Sequence, residues 1–129
     1  MNNAGWQGQV SPVVDYPEEV FDEVMAVNVT GVFLGLKHMI PVMRDGGSII
    51  ITSSIAGLRA GSEFSAYITS KHAVIGLMRA SAKEVAPRRI RVNTVHPGFV
   101  ESEMIDRIER ERGDPVAQRK AGEARVPVR

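Results

Sequence analysis

Apolar positions along the chain follow two different periods. From Val20 onward they fall at Val20, Val24, Val27, Phe33, Leu34, Leu36 and Ile40, the spacing of one face of a long helix. Gly31 and Gly35 interrupt that pattern without ending it. Asp15-Tyr16-Pro17-Glu18 predicts the helix start. Asp15 is placed to cap free amides, Pro17 suits the first turn, and Glu18 completes the capping-box spacing. Pro41 predicts a kink or break, and Gly46-Gly47 closes the segment. Ser48 to Ser53 then carries Ile49, Ile50 and Ile51 in a row. This short β-branched run predicts a strand buried on both faces, as in parallel sheets. Residues 66 to 86 return to helical spacing with Val74, Leu77, Met78 and Val85, and Pro87 stops them. Ile90 to Val95 predicts a second strand, ended by Pro97-Gly98. Residues 1–14 and 54–65 read as loops. Residues beyond 100 read as helical to about Arg112, followed by a loose tail over 113–129.

Helix, strand, helix, strand is an α/β order and implies parallel strands. Two strands do not make a stable sheet of this kind, so the pattern predicts one partial domain, 1–129, of a larger sheet. Composition adds exclusions. The 129 residues are 43% apolar and 24% charged with a net charge of +1, ordinary for a globular protein and without the basic face a nucleic-acid partner needs. The one basic cluster, Arg88, Arg89 and Arg91, reads as a solvated connection. The sequence has no cysteine, which removes disulfides and thiolate chemistry. No uninterrupted apolar run has the length of a membrane span, and the N-terminus lacks the layout of a signal peptide. A cytoplasmic protein without membrane or nucleic-acid partners is the expectation. His38, His72 and His96 are scattered, and no metal site is expected.

Tyr67-Ile68-Thr69-Ser70-Lys71 carries the strongest candidate chemistry. Tyr67 and Lys71 are four apart and share a helix face. A phenol ionises near pH 10, too high for a neutral-pH base; a nearby ammonium favours the phenolate, and the pair can then exchange a proton with an alcohol. Read alone, a Tyr–Lys pair at this spacing is more often a surface pair. Ser54 lies 13 residues before Tyr67 at the end of the first strand, and strand C-termini are where α/β sheets bind ligands. Its hydroxyl would hold an oxygen beside the tyrosine; alternatively Ser53 and Ser54 end the strand as a turn or cap.

The run Gly47-Ser48-Ile49-Ile50-Ile51-Thr52-Ser53-Ser54-Ile55-Ala56-Gly57, followed by Tyr67 and Lys71, resembles the short-chain dehydrogenase/reductase family, whose pattern is a serine, twelve residues and Y-x-x-x-K. Asn2-Asn3-Ala4-Gly5, Asn28 in Val27-Asn28-Val29, Arg91-Val92-Asn93 and Pro97-Gly98-Phe99-Val100-Glu101-Ser102 match further motifs of that family in order. The resemblance covers residues 1 to about 105. It implies a Rossmann-type doubly wound parallel sheet and an NAD- or NADP-dependent oxidoreductase that interconverts an alcohol and a carbonyl.

By that resemblance Tyr67 would be the general acid/base. Lys71 would lower the tyrosine's pKa and bond the nicotinamide ribose, and Ser54 would orient the substrate oxygen. Asn28 would hold a water of a proton relay, a role compatible with its plainer one of satisfying backbone groups at a helix bend. Asn3, Ala4 and Gly5 would lie beside the adenosine ribose, with Pro97, Gly98, Val100 and Ser102 shaping the nicotinamide pocket. Residues 103–112 would belong to a substrate loop. The two long helices would pair subunits into a homodimer or homotetramer.

The family's T-G-x-x-x-G-x-G turn, its residue choosing between NAD and NADP, and its last strand are not in this sequence. Gly31 with Gly35, and Gly57 with Gly61, read as packing or turn glycines. The expectation is therefore a catalytic portion lacking the cofactor-binding half, which alone binds nicotinamide cofactor poorly and turns over little. The competing expectation is a non-catalytic remnant that only pairs with other subunits.

Overall fold

The computed structural model describes residues 3–98, 106–107, 110–111 and 113. It forms two compact units, Met1–His96 and Pro97–Arg129.

In the first unit, α1 spans Glu18–Met25 with Pro17 at its N-cap and Glu18 and Glu19 in its first turn, where carboxylates favour the positive end of the helix dipole. Asp15 does not cap it. No side chain bonds the N-cap amides, and Asp15 instead closes a 3-10 turn, Val13–Asp15, its N–H donating to Pro12 O at 3.0 Å. Pro17 at the boundary fixes the entry conformation that a capping side chain would otherwise set. The helix then widens into a π turn over Ala26–Thr30 before continuing as α2, Gly31–Met39. Pro41 ends it in a 3-10 turn, Ile40–Val42, at the predicted break. Taken together, Glu18–Val42 is long and apolar enough to cross a membrane by length and composition. In this fold its apolar residues divide between a core face, with Val24, Val32 and Leu36 buried, and an exposed set that includes Val27, Phe33, Leu34 and Met39.

Strands β1, Ser48–Thr52, and β2, Arg91–Val95, pair in parallel with Ser48 opposite Arg91 and Thr52 opposite Val95. The connection is α3, Ser65–Val85, followed by a 3-10 turn, Ala86–Arg88, and Arg89 in the left-handed region at φ 54°. Val32 and Leu36 of α2, Val74 and Val85 of α3, Ile51, Ile90 and Val92 form the core. Each fully buried Val or Ile contributes about 1.5–3 kcal/mol relative to exposure. The prediction that β1 is buried on both faces is not met. Ile51 is fully buried, but Ile50 and Val95 on the opposite face are exposed, because α2 and α3 both pack on the Ile51 face.

Arg88 is not merely solvated. Its guanidinium donates to Ile40 O at 2.8 Å, to Met43 O, and to Asp45 Oδ1 at 2.9 Å, tying the end of the α2 segment to the end of α3.

In the second unit Pro97 and Gly98 are exposed. Asp106, Arg107, Arg110 and Glu111 are helical, joined by an ion pair between Arg107 and Glu111 at 3.4 Å and a bond from Arg110 Nε to Asp106 O at 3.0 Å. Of the predicted tail over 113–129, all but Gly113 lies outside the described residues, as do Val100 and Ser102.

Candidate active site

The site forms where β1 ends. Ser54 follows the strand in an extended conformation, and its Oγ accepts from Ala56 N at 3.1 Å, capping a 3-10 turn, Ile55–Gly57. So Ser54 does cap, as one reading of the sequence had it. It also reaches the tyrosine, since its side chain pulls the Tyr67 pKa downward. Gly57 allows this turn to lie against α3. A Cβ there would stand 2.5 Å from Ser53 Oγ and 2.8 Å from Lys71 O.

Tyr67 and Lys71 occupy one face of α3 near its start, as their spacing predicts. Lys71 is buried. Its Nζ donates to Thr52 O at 3.3 Å and lies 5.4 Å from the centre of the Tyr67 ring. Burial lowers the lysine's pKa. Burial also raises that of Tyr67, opposed by the Ser54 hydrogen bond. The downward pull expected of Lys71 is not among the influences on the phenol here. The ammonium sits over the ring, and desolvation of the phenolate outweighs the one hydrogen bond that favours it.

Asn28 stands in the π turn, almost fully buried. Its Oδ1 accepts from Trp6 N and its Nδ2 donates to Trp6 O, each at 2.7 Å. The other amide hydrogen goes to Ser70 Oγ at 2.9 Å, and Ser70 donates on to Tyr67 O at 2.7 Å. π turns commonly redirect a side chain at functional sites. Here the widened turn carries Asn28 to the loop before α1, and its backbone-satisfying role is what the geometry displays. Gly5, next to that loop, is a close neighbour of the site. A Cβ built on it would lie 3.4 Å from Lys71 Nζ and 3.7 Å from Asn28 Oδ1. Asn3 and Ala4 precede it, exposed.

The structure thus brings together Ser54, Tyr67, Lys71, Asn28 and Gly5. Pro97 and Gly98 belong to the second unit, and Val100 and Ser102 are not described. Sequence reading missed Ser70 and His96, and read Ser53 only as part of a strand-ending turn or cap. Ser53 Oγ donates to Lys71 O at 3.0 Å, and His96 Nδ1 lies 3.0 Å from Ser54 O. Ser70 had a local signal, since a hydroxyl three residues after Tyr67 reaches that residue's carbonyl on a helix. Ser53 and His96 act across the sheet end and had none. Among the described residues no cluster of His, Asp or Glu could hold a metal.

A family model described as enoyl-(acyl carrier protein) reductase matches residues 1–129. Levodione reductase of Leifsonia aquatica is 37% identical over 129 residues, covering 98% of this chain and 48% of its own length. A levodione reductase crystal structure superposes with a TM-score of 0.85 over 98% of this chain and 50% of that one. A 4-hydroxyisoleucine dehydrogenase complexed with NADH and succinate, 31% identical, gives 0.74 over 84% of this chain and 49% of its own. A short chain dehydrogenase from Escherichia coli complexed with NADPH, 37% identical, gives 0.69 over 74% and 40%. The chain spans about half the length of the relatives it matches.

Proposed function

We propose, on the premise that the chain belongs to the short-chain dehydrogenase/reductase family and has part of its Rossmann-type fold, that it carries the proton-transfer machinery of a nicotinamide-dependent oxidoreductase interconverting an alcohol and a carbonyl. The observation that carries this reading is the meeting of Ser54 and Tyr67 at the carboxyl end of β1, with Lys71 Nζ 5.4 Å from the tyrosine ring.

The residues present fit a nicotinamide cofactor of the NAD or NADP kind, bound by relatives as NADH and NADPH. Lys71 commits one described hydrogen bond, to Thr52 O, and an ammonium has three donors. The missing side chain at Gly5 leaves room beside that nitrogen, where a ribose hydroxyl would be held. When bound, the cofactor supplies the hydride donor or acceptor. Asn3 and Ala4 would line its approach.

The rest falls to the chain's own groups. Ser54 holds the substrate oxygen with its hydroxyl while its Oγ stays fixed by Ala56 N. Tyr67, a phenol that burial pushes further toward its protonated form, donates its proton to that oxygen as a carbonyl is reduced. In the reverse direction the phenolate takes the alcohol proton, and the Ser54 bond is what favours that form. Lys71 returns the proton from solvent. Asn28 holds the loop at Trp6 and the helix at Ser70, and its Oδ1, near Gly5, retains a lone pair for a relay water.

A homodimer or homotetramer through the long helices has one specific support, the exposed apolar residues Phe33, Leu34 and Met39 on α2. Sedimentation of the purified chain tests it, with a monomer at all concentrations as the contrary result. The test of function is titration of the chain with NADH and NADPH followed by cofactor fluorescence, then assay with cyclic and secondary alcohols. Saturable binding with turnover supports the enzyme reading. A folded chain that binds neither cofactor supports the remnant.

A further inference from the structure

Ser54 works only if its hydroxyl stays in register with Tyr67, so what fixes its backbone matters. The last ladder bond between the strands is Ser53 N to Val95 O at 2.9 Å. Beyond it, residue 97 is proline, which has no N–H to offer a further rung. We propose that His96 takes over as the positioning residue of Ser54, its imidazole bridging the end of β2 to the Ser54 carbonyl.

The contacts of the ring carry this. His96 Nδ1 lies 3.0 Å from Ser54 O. A carbonyl only accepts, so Nδ1 bears the hydrogen. In the neutral ring Nε2 is then bare, and Thr94 Oγ1, 2.9 Å away, donates to it. Thr94 is a β2 residue opposite the fully buried Ile51, so the bridge is anchored in the strand ladder beside the core. Ser54 is held from both sides, its Oγ by Ala56 N at 3.1 Å and its carbonyl by His96. The ring also fixes its own tautomer, because the hydrogen-bond partner of one nitrogen decides the state of the other. Removing the ring frees the Ser54 carbonyl and lets the hydroxyl drift from the phenol.

The inference rests on the catalytic reading of Ser54 and Tyr67, but its first tests need no turnover. In the full chain with ring-15N histidine, long-range proton–nitrogen correlation at about pH 8, above the ordinary imidazole range, should show His96 as the neutral Nδ1–H tautomer. The His96 signal is identified by its loss in His96→Asn. An Nε2–H tautomer overturns the proposal, since a bare Nδ1 cannot bond a carbonyl. With 13Cζ-tyrosine in a Tyr16→Phe background, His96→Ala should move the Tyr67 titration midpoint upward, as Ser54→Ala does, and add nothing to Ser54→Ala in the double variant. His96→Asn, which keeps an N–H near the Nδ1 position, should restore the midpoint. An unmoved midpoint in folded His96→Ala overturns the proposal. Should His96→Ala not fold, a folded His96→Asn whose midpoint differs from wild type overturns it equally. Where the chain turns over, His96→Ala should lower kcat by roughly 10–100-fold with cofactor KM unchanged. Absence of cofactor binding would count against the enzyme reading while leaving the tautomer and titration results to judge His96.

Discussion

Asn28 Nδ2 donates to Ser70 Oγ at 2.9 Å, and through this one bond the π turn is tied to the helix that carries Tyr67 and Lys71. Asn28 has two other partners, Trp6 N, which donates to its Oδ1, and Trp6 O, which accepts from its Nδ2, while Ser70 Oγ donates on to Tyr67 O. Asn28→Ala strands two backbone groups of Trp6 and should cost about 1–3 kcal/mol for each that stays buried. Trp6 is the only tryptophan, so its fluorescence reads the loop directly. A red-shifted emission at temperatures where circular dichroism still shows a folded chain is the expected result. An unchanged spectrum would mean the loop is held by something else.

Ser54 is the one group that pulls the Tyr67 pKa downward against burial. On the proposed mechanism the phenol must lose its proton to oxidise an alcohol, so the oxidation rate should rise with pH through the Tyr67 ionisation. Ser54→Ala removes the downward pull, and the rising limb should move to higher pH as well as falling in height. Rate–pH profiles of wild type and variant check both. A limb that stays in place, or moves to lower pH, contradicts the assignment.

Lys71 is buried with one described hydrogen bond and a ring contact, and burial lowers its pKa below 10.5. The folded chain therefore binds fewer protons than the unfolded chain between the lowered value and 10.5, and this group makes stability rise with pH across that window. At neutral pH the buried charge is a burden. Lys71→Met should abolish turnover, a loss on the order of 100-fold or more, while leaving the urea midpoint at pH 7 equal to wild type or higher. A large drop in that midpoint would show the lysine to be a structural brace instead.

The helix periods, the two strands, the break at Pro41 and the shared face of Tyr67 and Lys71 were all legible in the sequence, because each depends on residues within a few turns of one another. What was not legible depends on encounters across the chain. Nothing near Asn28 announces a π turn, whose side chain is directed by the Trp6 backbone 22 residues away. Ile49-Ile50-Ile51 reads as a strand covered twice, yet only the helices present decide which face is covered. The burial that raises the Tyr67 pKa, and the placing of Lys71 Nζ by Thr52 O, both depend on other elements packing against α3.

Arg88 offers a test of such an encounter. Its planar fork meets two carbonyls at the end of the α2 segment and the Asp45 carboxylate, an arrangement a lysine ammonium cannot copy. Arg88→Lys should destabilise nearly as much as Arg88→Ala, about 1.5–3 kcal/mol in denaturant unfolding. Recovery of wild-type stability by Arg88→Lys would reduce the contact to its charge.

Gly57 and Gly61 share a four-residue spacing, and the structure separates them. A Cβ at Gly57 would stand 2.5 Å from Ser53 Oγ, 2.8 Å from Lys71 O and 3.2 Å from Ile75 Cδ1, whereas at Gly61 it would meet nothing within 4 Å. Gly61→Ala should therefore change stability by no more than about 0.5 kcal/mol. Gly57→Ala must push the 3-10 turn away from α3, an overpacking that costs about 1–3 kcal/mol. The displaced neighbours are not neutral ones. Ser53 precedes Ser54, and the Lys71 carbonyl lies one turn of helix from Tyr67, so the same push separates the serine from the phenol. Turnover, or failing that the Tyr67 titration, should consequently change in Gly57→Ala even at temperatures where the chain is fully folded, and should not change in Gly61→Ala. Equal behaviour of the two variants would mean the turn can shift without carrying Ser54 with it.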